Sequence, residues 1–446
     1  MHKIRYILTS IQLLTVTSKI VRNIKRKIVT LLLWSQKYTK TDMLYLAKGG
    51  FWVGFAQSMN SILSLVLIIA FANLLPKETY GIYRYILSIL AMLNVFTLSG
   101  MNNAVSRAVA KGDEGVLRPA VMYQLKWNLL MVIASWILSG YYYMQDDITL
   151  SLSFFILGVF VPCTLAFNTY GSYLDGKKQF KMAYSLSVLA TLVYSVGMLL
   201  TLFVTDEVVW MVTIYAITTF IPSILFYAYT LRKFKPPAGG DVIDTLKYGR
   251  ELTYLRFIEP IVSQIDKVIL AHFWGPAQLA VYSLALAVPN RVSLLIKSWV
   301  AIGFPKFAEK TFTEINQVFW RRIVQGVFLG SVVTIGYMLV SPYLFKYLLP
   351  QYIEGVFYSQ LLALNFITAI PNRYISLLFT SQRLSLVLFN RAIFISIISA
   401  TLYILFGIWG GLFGLVLASI LISLISFVLN VTLWLKISHD QDQKKD

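Results

Sequence analysis

The chain has 446 residues, 57% hydrophobic and 13% charged, with a formal net charge of +19 and a mean hydropathy of +0.69. That composition describes a polytopic membrane protein and leaves no part that requires a soluble domain. One cysteine, Cys163, excludes an internal disulfide and a cysteine metal cage, and three scattered histidines (His2, His272, His439) leave little material for a histidine metal site or a Ser/His pair.

Residues 1–45 place nine Lys and Arg between Lys3 and Lys40 among Ile, Leu and Val, which reads as a basic amphipathic segment on an anionic membrane surface. A signal peptide with Tyr6–Val16 as its apolar core competes with this. No small-residue cleavage site follows, and the cluster Arg22–Lys27 comes next.

Apolar windows then predict about twelve transmembrane helices, near 49–72, 80–103, 118–140, 150–171, 182–204 and 208–230, and near 248–273, 279–303, 318–340, 355–379, 385–405 and 410–434. Loops after the even-numbered spans hold Arg107, Lys111, Lys177, Lys178, Lys181, Lys233, Lys306, Lys310 and Arg383. The opposite loops hold only Lys77, Arg84 and Lys346 as basic residues, beside Asp146, Asp147, Asp206 and Glu207. Basic loops face the cytoplasm, so both termini are expected there. In a soluble protein the same charge would suggest nucleic acid; here it marks topology, and no nucleic-acid partner is expected.

A shift of 199 residues sets Lys48 and Gly50 on Lys247 and Gly249, Tyr83 on Tyr282, and SRAVAK at 106–111 on PKFAEK at 305–310. Six spans return the chain to its starting side, so the fold class is all-α integral membrane: two parallel six-helix repeats forming a two-lobed transporter. The expected divisions are a basic segment 1–45, an N-terminal lobe 46–231, a Pro/Gly-bearing linker 232–246, a C-terminal lobe 247–436 and a cytoplasmic tail 437–446. Substrate is expected between the lobes near mid-bilayer.

The seventh span carries charges where lipid rejects them. On a continuous helix Arg256, Glu259, Ser263, Asp266 and Lys267 share one face, and each ionisable group at bilayer depth costs about 2.5–3.5 kcal/mol unless it faces a bundle interior or water. This reads as the wall of a substrate path, with Glu259 and Asp266 as coupling candidates. The competing reading pairs Arg256 with Glu259 and makes Asp266 and Lys267 a helix end. By the repeat, Gln57 and Asn60 of the first span answer Arg256 and Glu259 and become cavity candidates, whereas Ser61 and Ser64 read equally well as packing residues. Arg291 and Arg373, each beside a Pro-Asn pair within a span, call for anions or carboxylates. Pro162, Pro222, Pro260, Pro289 and Pro371 are candidate bending points.

No phosphate loop, dinucleotide fingerprint or zinc spacing occurs, and the outer connections are too short for an enzyme's catalytic loop. Catalytic residues, metal and cofactor are therefore all expected to be none.

Residues 46–85 (LAKGGFWVGFAQSMNSILSLVLIIAFANLLPKETYGIYRY) and 263–291 (SQIDKVILAHFWGPAQLAVYSLALAVPNR) resemble bacterial polysaccharide and O-antigen flippases, the Wzx-like polysaccharide transporters of the multidrug, oligosaccharidyl-lipid and polysaccharide exporter superfamily. The likeness rests on Lys48-Gly49-Gly50, the Leu-Pro-x-x-x-Tyr-Gly-x-Tyr turn from Leu75 to Tyr83, and Asp266-Lys267 ahead of Tyr282. Two features depart from the pattern: the long extension 1–45, and Leu279-Ala280 where Leu-Gly is expected. The resemblance implies alternating-access transfer of an undecaprenyl-pyrophosphate-linked oligosaccharide across the bacterial inner membrane for surface polysaccharide. Its implied partners are that lipid-linked sugar, the bilayer, and a polysaccharide polymerase with chain-length proteins. Arg256, Lys267, Arg291 and Arg373 would suit a pyrophosphate, while Gln57, Asn60 and the 27 Tyr and 10 Trp would suit sugars. Rival readings are a cation-coupled multidrug exporter, which favours acidic cavity residues, and a non-transporting scaffold for assembly enzymes.

Overall fold

The computed structural model describes residues 43–237, 239, 242–301, 312–382 and 384–442, and among them there are helices and turns but no strand. The basic segment up to residue 42, the loop with Lys306 and Lys310, and Arg383 lie outside the described residues. The chain divides into two packed units, Met1–Ser58 and Met59–Asp446. In the first, the described part is the opening of α1 (Met43–Leu74), where Phe51 and Phe55 stack at 6.3 Å with Trp52 edge-on to both. Aromatic clusters of this kind suit a membrane–water boundary.

The second unit continues α1 and adds α2 (Lys77–Leu93), α3 (Met101–Ala110), α4 (Leu117–Met144), α5 (Ile148–Phe167), α6 (Thr169–Gly176), α7 (Phe180–Val204) and α8 (Val208–Phe234). Then come α9 (Val242–Tyr254), α10 (Glu259–Val262), α11 (Ile265–Trp274), α12 (Pro276–Ala301), α13 (Phe312–Leu348), α14 (Gly355–Ala363), α15 (Asn365–Ser381) and α16 (Ser385–Asp442). Among the described residues nine helical stretches are long and apolar enough to cross a membrane. The last turns back at Gly411, whose φ of 53° only glycine adopts readily, and so makes two passes. The broken run α9–α11 and the cation-bearing α12 complete twelve.

Within each half, buried hydroxyls and amides bond carbonyls of the neighbouring helix, which lipid demands because no water reaches them. Asn128, Ser135 and Ser139 of α4 donate to the carbonyls of Pro162, Phe154 and Ser151 on α5 at 2.7, 2.9 and 2.8 Å. In the second half Asn365 and Thr368 of α15 meet Ser419 and Ser423 of α16 at 3.0 and 2.6 Å. Gly326 and Gly330, one turn apart on α13, let α15 approach: a Cβ at Gly330 would lie 2.4 Å from the Phe366 carbonyl oxygen. The repeat is visible in Tyr83 and Tyr282, each 1% exposed; the first bonds Tyr194 and the second Asp266.

Contacts between the halves lie at both ends of the helices. At the basic end α3 packs on α9, where Gly100 N donates to Thr253 Oγ1 (3.0 Å) and the Arg107 guanidinium lies 4.4 Å over the Tyr248 ring. At the other end a Cβ on Gly81 of α2 would sit 1.9 Å from the Pro276 carbonyl oxygen of α12. There Asn73 bonds the Leu348 carbonyl (2.9 Å), and Lys77 pairs with Glu354 (2.6 Å) beside the buried ring of Tyr352. Burial pushes the Tyr352 phenol well above its usual range, so that ring stays neutral beside the ammonium.

Three expectations need correction. The seventh span is not one helix: it breaks at 255–258 and again at Ser263–Gln264, because Pro260 cannot donate to the preceding turn and instead opens α10. The second span stops at Leu93 and resumes at Met101 after a 3-10 turn over Asn94–Phe96, where the Thr97 hydroxyl takes up the Asn94 carbonyl (2.7 Å). Of the five prolines, only Pro260 stands at a break; Pro162, Pro222, Pro289 and Pro371 lie inside continuous helices.

The close approach at Gly330 predicts that Gly330→Ala costs about 1–3 kcal/mol through overpacking against backbone. Its thermal midpoint in detergent should fall, whereas Gly140→Ala, with open space at its Cβ, should leave the midpoint unchanged or raised.

Candidate functional site

Helices α2, α11 and α12 enclose a cavity of about 260 Å³ with three cations on its wall: Arg84, Lys267 and Arg291. Asn290, Ser283 and Tyr80 supply its polar remainder, and Ile68, Leu286, Ala287 and Leu294 the apolar part. Among the described residues no carboxylate lines it. Arg84 stands two turns into α2 and Lys267 two turns before the end of α11, so at 1.5 Å per residue both lie roughly 10 Å inside the end opposite the basic loops. Arg291 sits deeper, roughly 22 Å along α12.

The cations have few partners. Lys267 Nζ donates to Gln264 Oε1 at 2.6 Å, and the Nε of Arg84 is buried with no acceptor. Three like charges on the wall of one cavity repel one another, the more so where water is scarce. An anion placed among them adds attractions that offset this repulsion, and the forked guanidinium donors suit two oxygens of one phosphate.

Asp266, next to Lys267 in sequence, attracts it electrostatically but takes a different hydrogen-bond partner. Consecutive helical residues point about 100° apart, so Asp266 turns away into the core, 6% exposed, where its Oδ2 accepts a 2.8 Å hydrogen bond from the Tyr282 hydroxyl. Its Oδ1 is buried without a partner.

The other predicted site residues fall elsewhere. Arg256 and Glu259 are exposed at the break between α9 and α10, with no ion pair between them among the described residues, and neither lines this cavity. Gln57 is exposed on α1, and the Asn60 amide donates to Ser187 Oγ on α7 at 3.3 Å. Arg373 lines a separate cavity with Arg391. Arg84 is the residue that sequence reasoning assigned to an outer loop. Its signal was present in the repeat: the 199-residue shift lays Ile68 on Lys267 and Arg84 on Ser283, and all four line the same cavity.

The fold is that of a multi-pass, all-helical membrane protein with a cationic cavity among its helices. Residues 46–311 match the family described as polysaccharide biosynthesis protein, more than half of the chain, and the chain belongs to that family. No curated protein matches the sequence. Among solved structures the fold is similar to an inward-facing multidrug resistance MATE family transporter of the MOP superfamily, with 15% identity over 85% of this chain and 96% of that one and a TM-score of 0.62. It is similar to the lipid II flippase MurJ in an inward closed conformation, at 15% identity over 86% and 89% and a TM-score of 0.61. An outward-facing MATE transporter matches at 14% identity over 90% and 96%, with a TM-score of 0.55.

The cavity's charge can be read chemically. With Cys163 replaced by Ser, a thiol at Asn290, the exposed polar position on the wall, should react at least tenfold faster with an anionic thiosulfonate than with a cationic one of equal size. Adding Arg84→Gln and Arg291→Gln should remove that preference; equal rates before those changes would show that the wall is not cationic to solutes.

Proposed function

We propose that the protein translocates an undecaprenyl-pyrophosphate-linked oligosaccharide across the bacterial inner membrane for surface polysaccharide assembly. The observation that carries this is the cavity with Arg84, Lys267 and Arg291 and no carboxylate. Pyrophosphate matches that donor set. A cationic drug would meet three like charges, which weighs against a multidrug exporter reading on this fold. Membership of a polysaccharide biosynthesis family supports the sugar-bearing cargo.

In this reading the basic loops face the cytoplasm, and lobes 46–231 and 247–436 rock about 232–246 to expose the cavity alternately to each side. The cations hold the pyrophosphate while the sugars pass among the Tyr, Asn and Ser side chains. Asp266 is the coupling candidate, because protonation of its carboxylate would alter the bond that ties α11 to Tyr282 of α12. Arg256, Glu259, Gln57 and Asn60 flank the route rather than hold the phosphate.

A deletion strain should accumulate the complete lipid-linked repeat unit on the cytoplasmic leaflet and lose surface polysaccharide. On complementation at equal abundance, Arg84→Gln and Arg291→Gln should each lower export at least tenfold, the double variant should abolish it, and Arg84→Lys should fall between, because an ammonium supplies charge without the fork. Normal export by the double variant would refute the site. Absence of the accumulated repeat unit would refute the cargo.

A further inference from the structure

A second arginine cavity lies within the second half, apart from the one above. It measures about 310 Å³ and is lined by Arg373 and Ser376 of α15, Arg391 of α16 and Ser293 of α12, and among the described residues no carboxylate lines it. Arg391 Nη1 donates to Ser376 Oγ at 3.1 Å, while its Nε is buried and has no acceptor. Arg373 is exposed. Its neighbour Asn372 is fixed on both sides, donating to the Ser423 carbonyl (3.3 Å) and accepting from the Asn430 amide (2.7 Å). The backbone that carries Arg373 is therefore anchored to the second leg of α16.

Depth identifies the ligand class. Residues 355–381 form one pass of α14 and α15 that is roughly 40 Å long at 1.5 Å per residue, the thickness of a bilayer with its headgroups. Arg373 lies roughly 12 Å, and Arg391 roughly 9 Å, from the basic end of their helices. Both stand just below the headgroup layer of that leaflet. Two guanidiniums face one cavity there beside the Ser293 and Ser376 hydroxyls and the Asn372 amide, and among the described residues no carboxylate lines it to balance them, as a purely structural pair of arginines would require. We infer that this cavity holds the phosphate of a lipid headgroup from the leaflet at the basic end, bound through Arg373 and Arg391. The inference does not rest on the cargo assigned above.

The test uses full-length protein carrying Arg84→Gln and Arg291→Gln, which removes two of the three cations of the first cavity, and measures retained ligand by native mass spectrometry from detergent. Three probes are titrated separately: phosphatidylglycerol, undecaprenyl pyrophosphate and inorganic pyrophosphate. Addition of Arg373→Gln and Arg391→Gln should weaken retention of at least one of the two lipids tenfold or more, and the lipid affected names the source as bulk bilayer or polyprenyl carrier. Arg373→Lys with Arg391→Lys should retain an intermediate amount, which separates lost charge from lost fold should the Gln pair prove unstable. Unchanged retention of both lipids overturns the inference, and so does an effect confined to inorganic pyrophosphate. Loss of lipid retention with export intact would leave this site standing and the cargo proposal untouched.

Discussion

The constraint on which the structure turns is three cations sharing the wall of one cavity that, among the described residues, no carboxylate lines. Burying a single charge costs several kcal/mol even after relaxation, and like neighbours add to it. Lys267 has Asp266 beside it and feels its charge, yet helical geometry turns the acid toward the core, where it accepts from Tyr282. Each half contributes differently to the wall. At positions related by the repeat, the first half offers Ile68 and Arg84 and the second offers Lys267 and Ser283, so the charges come from different helices of the two halves. Divergence of the two copies concentrated positive charge at their contact.

What holds the halves internally differs from what joins them. Inside each half, buried hydroxyls and amides bond neighbouring carbonyls, and removing one partner strands the other at about 1–3 kcal/mol. Between the halves, the Lys77–Glu354 pair has side chains 33% and 56% exposed, and such a surface pair contributes about 0–1 kcal/mol. The glycine contacts at Gly81 and Gly100 are close but carry no covalent or ionic lock.

Much of this was legible in the sequence. Twelve apolar windows, the repeat with Tyr83 on Tyr282, and the cationic character of Lys267 and Arg291 follow from periodicity and from the price of charge in lipid. The stripe through Arg256 and Glu259 was not borne out as one face, because helical phase carries across a segment only while the helix is continuous, and Pro260 ends it. Arg84 was missed for a related reason. It reads, with Lys77, as a loop cation although the predicted span near 80–103 already contains it, and only packing shows that its side chain lines the cavity. Arg391 falls within the predicted span near 385–405, and only the packing of α15 on α16 shows that it shares a cavity with Arg373.

The most direct test of the central claim is a structure of the full-length protein in nanodiscs with undecaprenyl pyrophosphate. The account predicts pyrophosphate density within hydrogen-bond reach of Arg84 and Arg291, with Lys267 beside it. Density for the pyrophosphate elsewhere, with those three side chains paired instead to protein carboxylates, would contradict it.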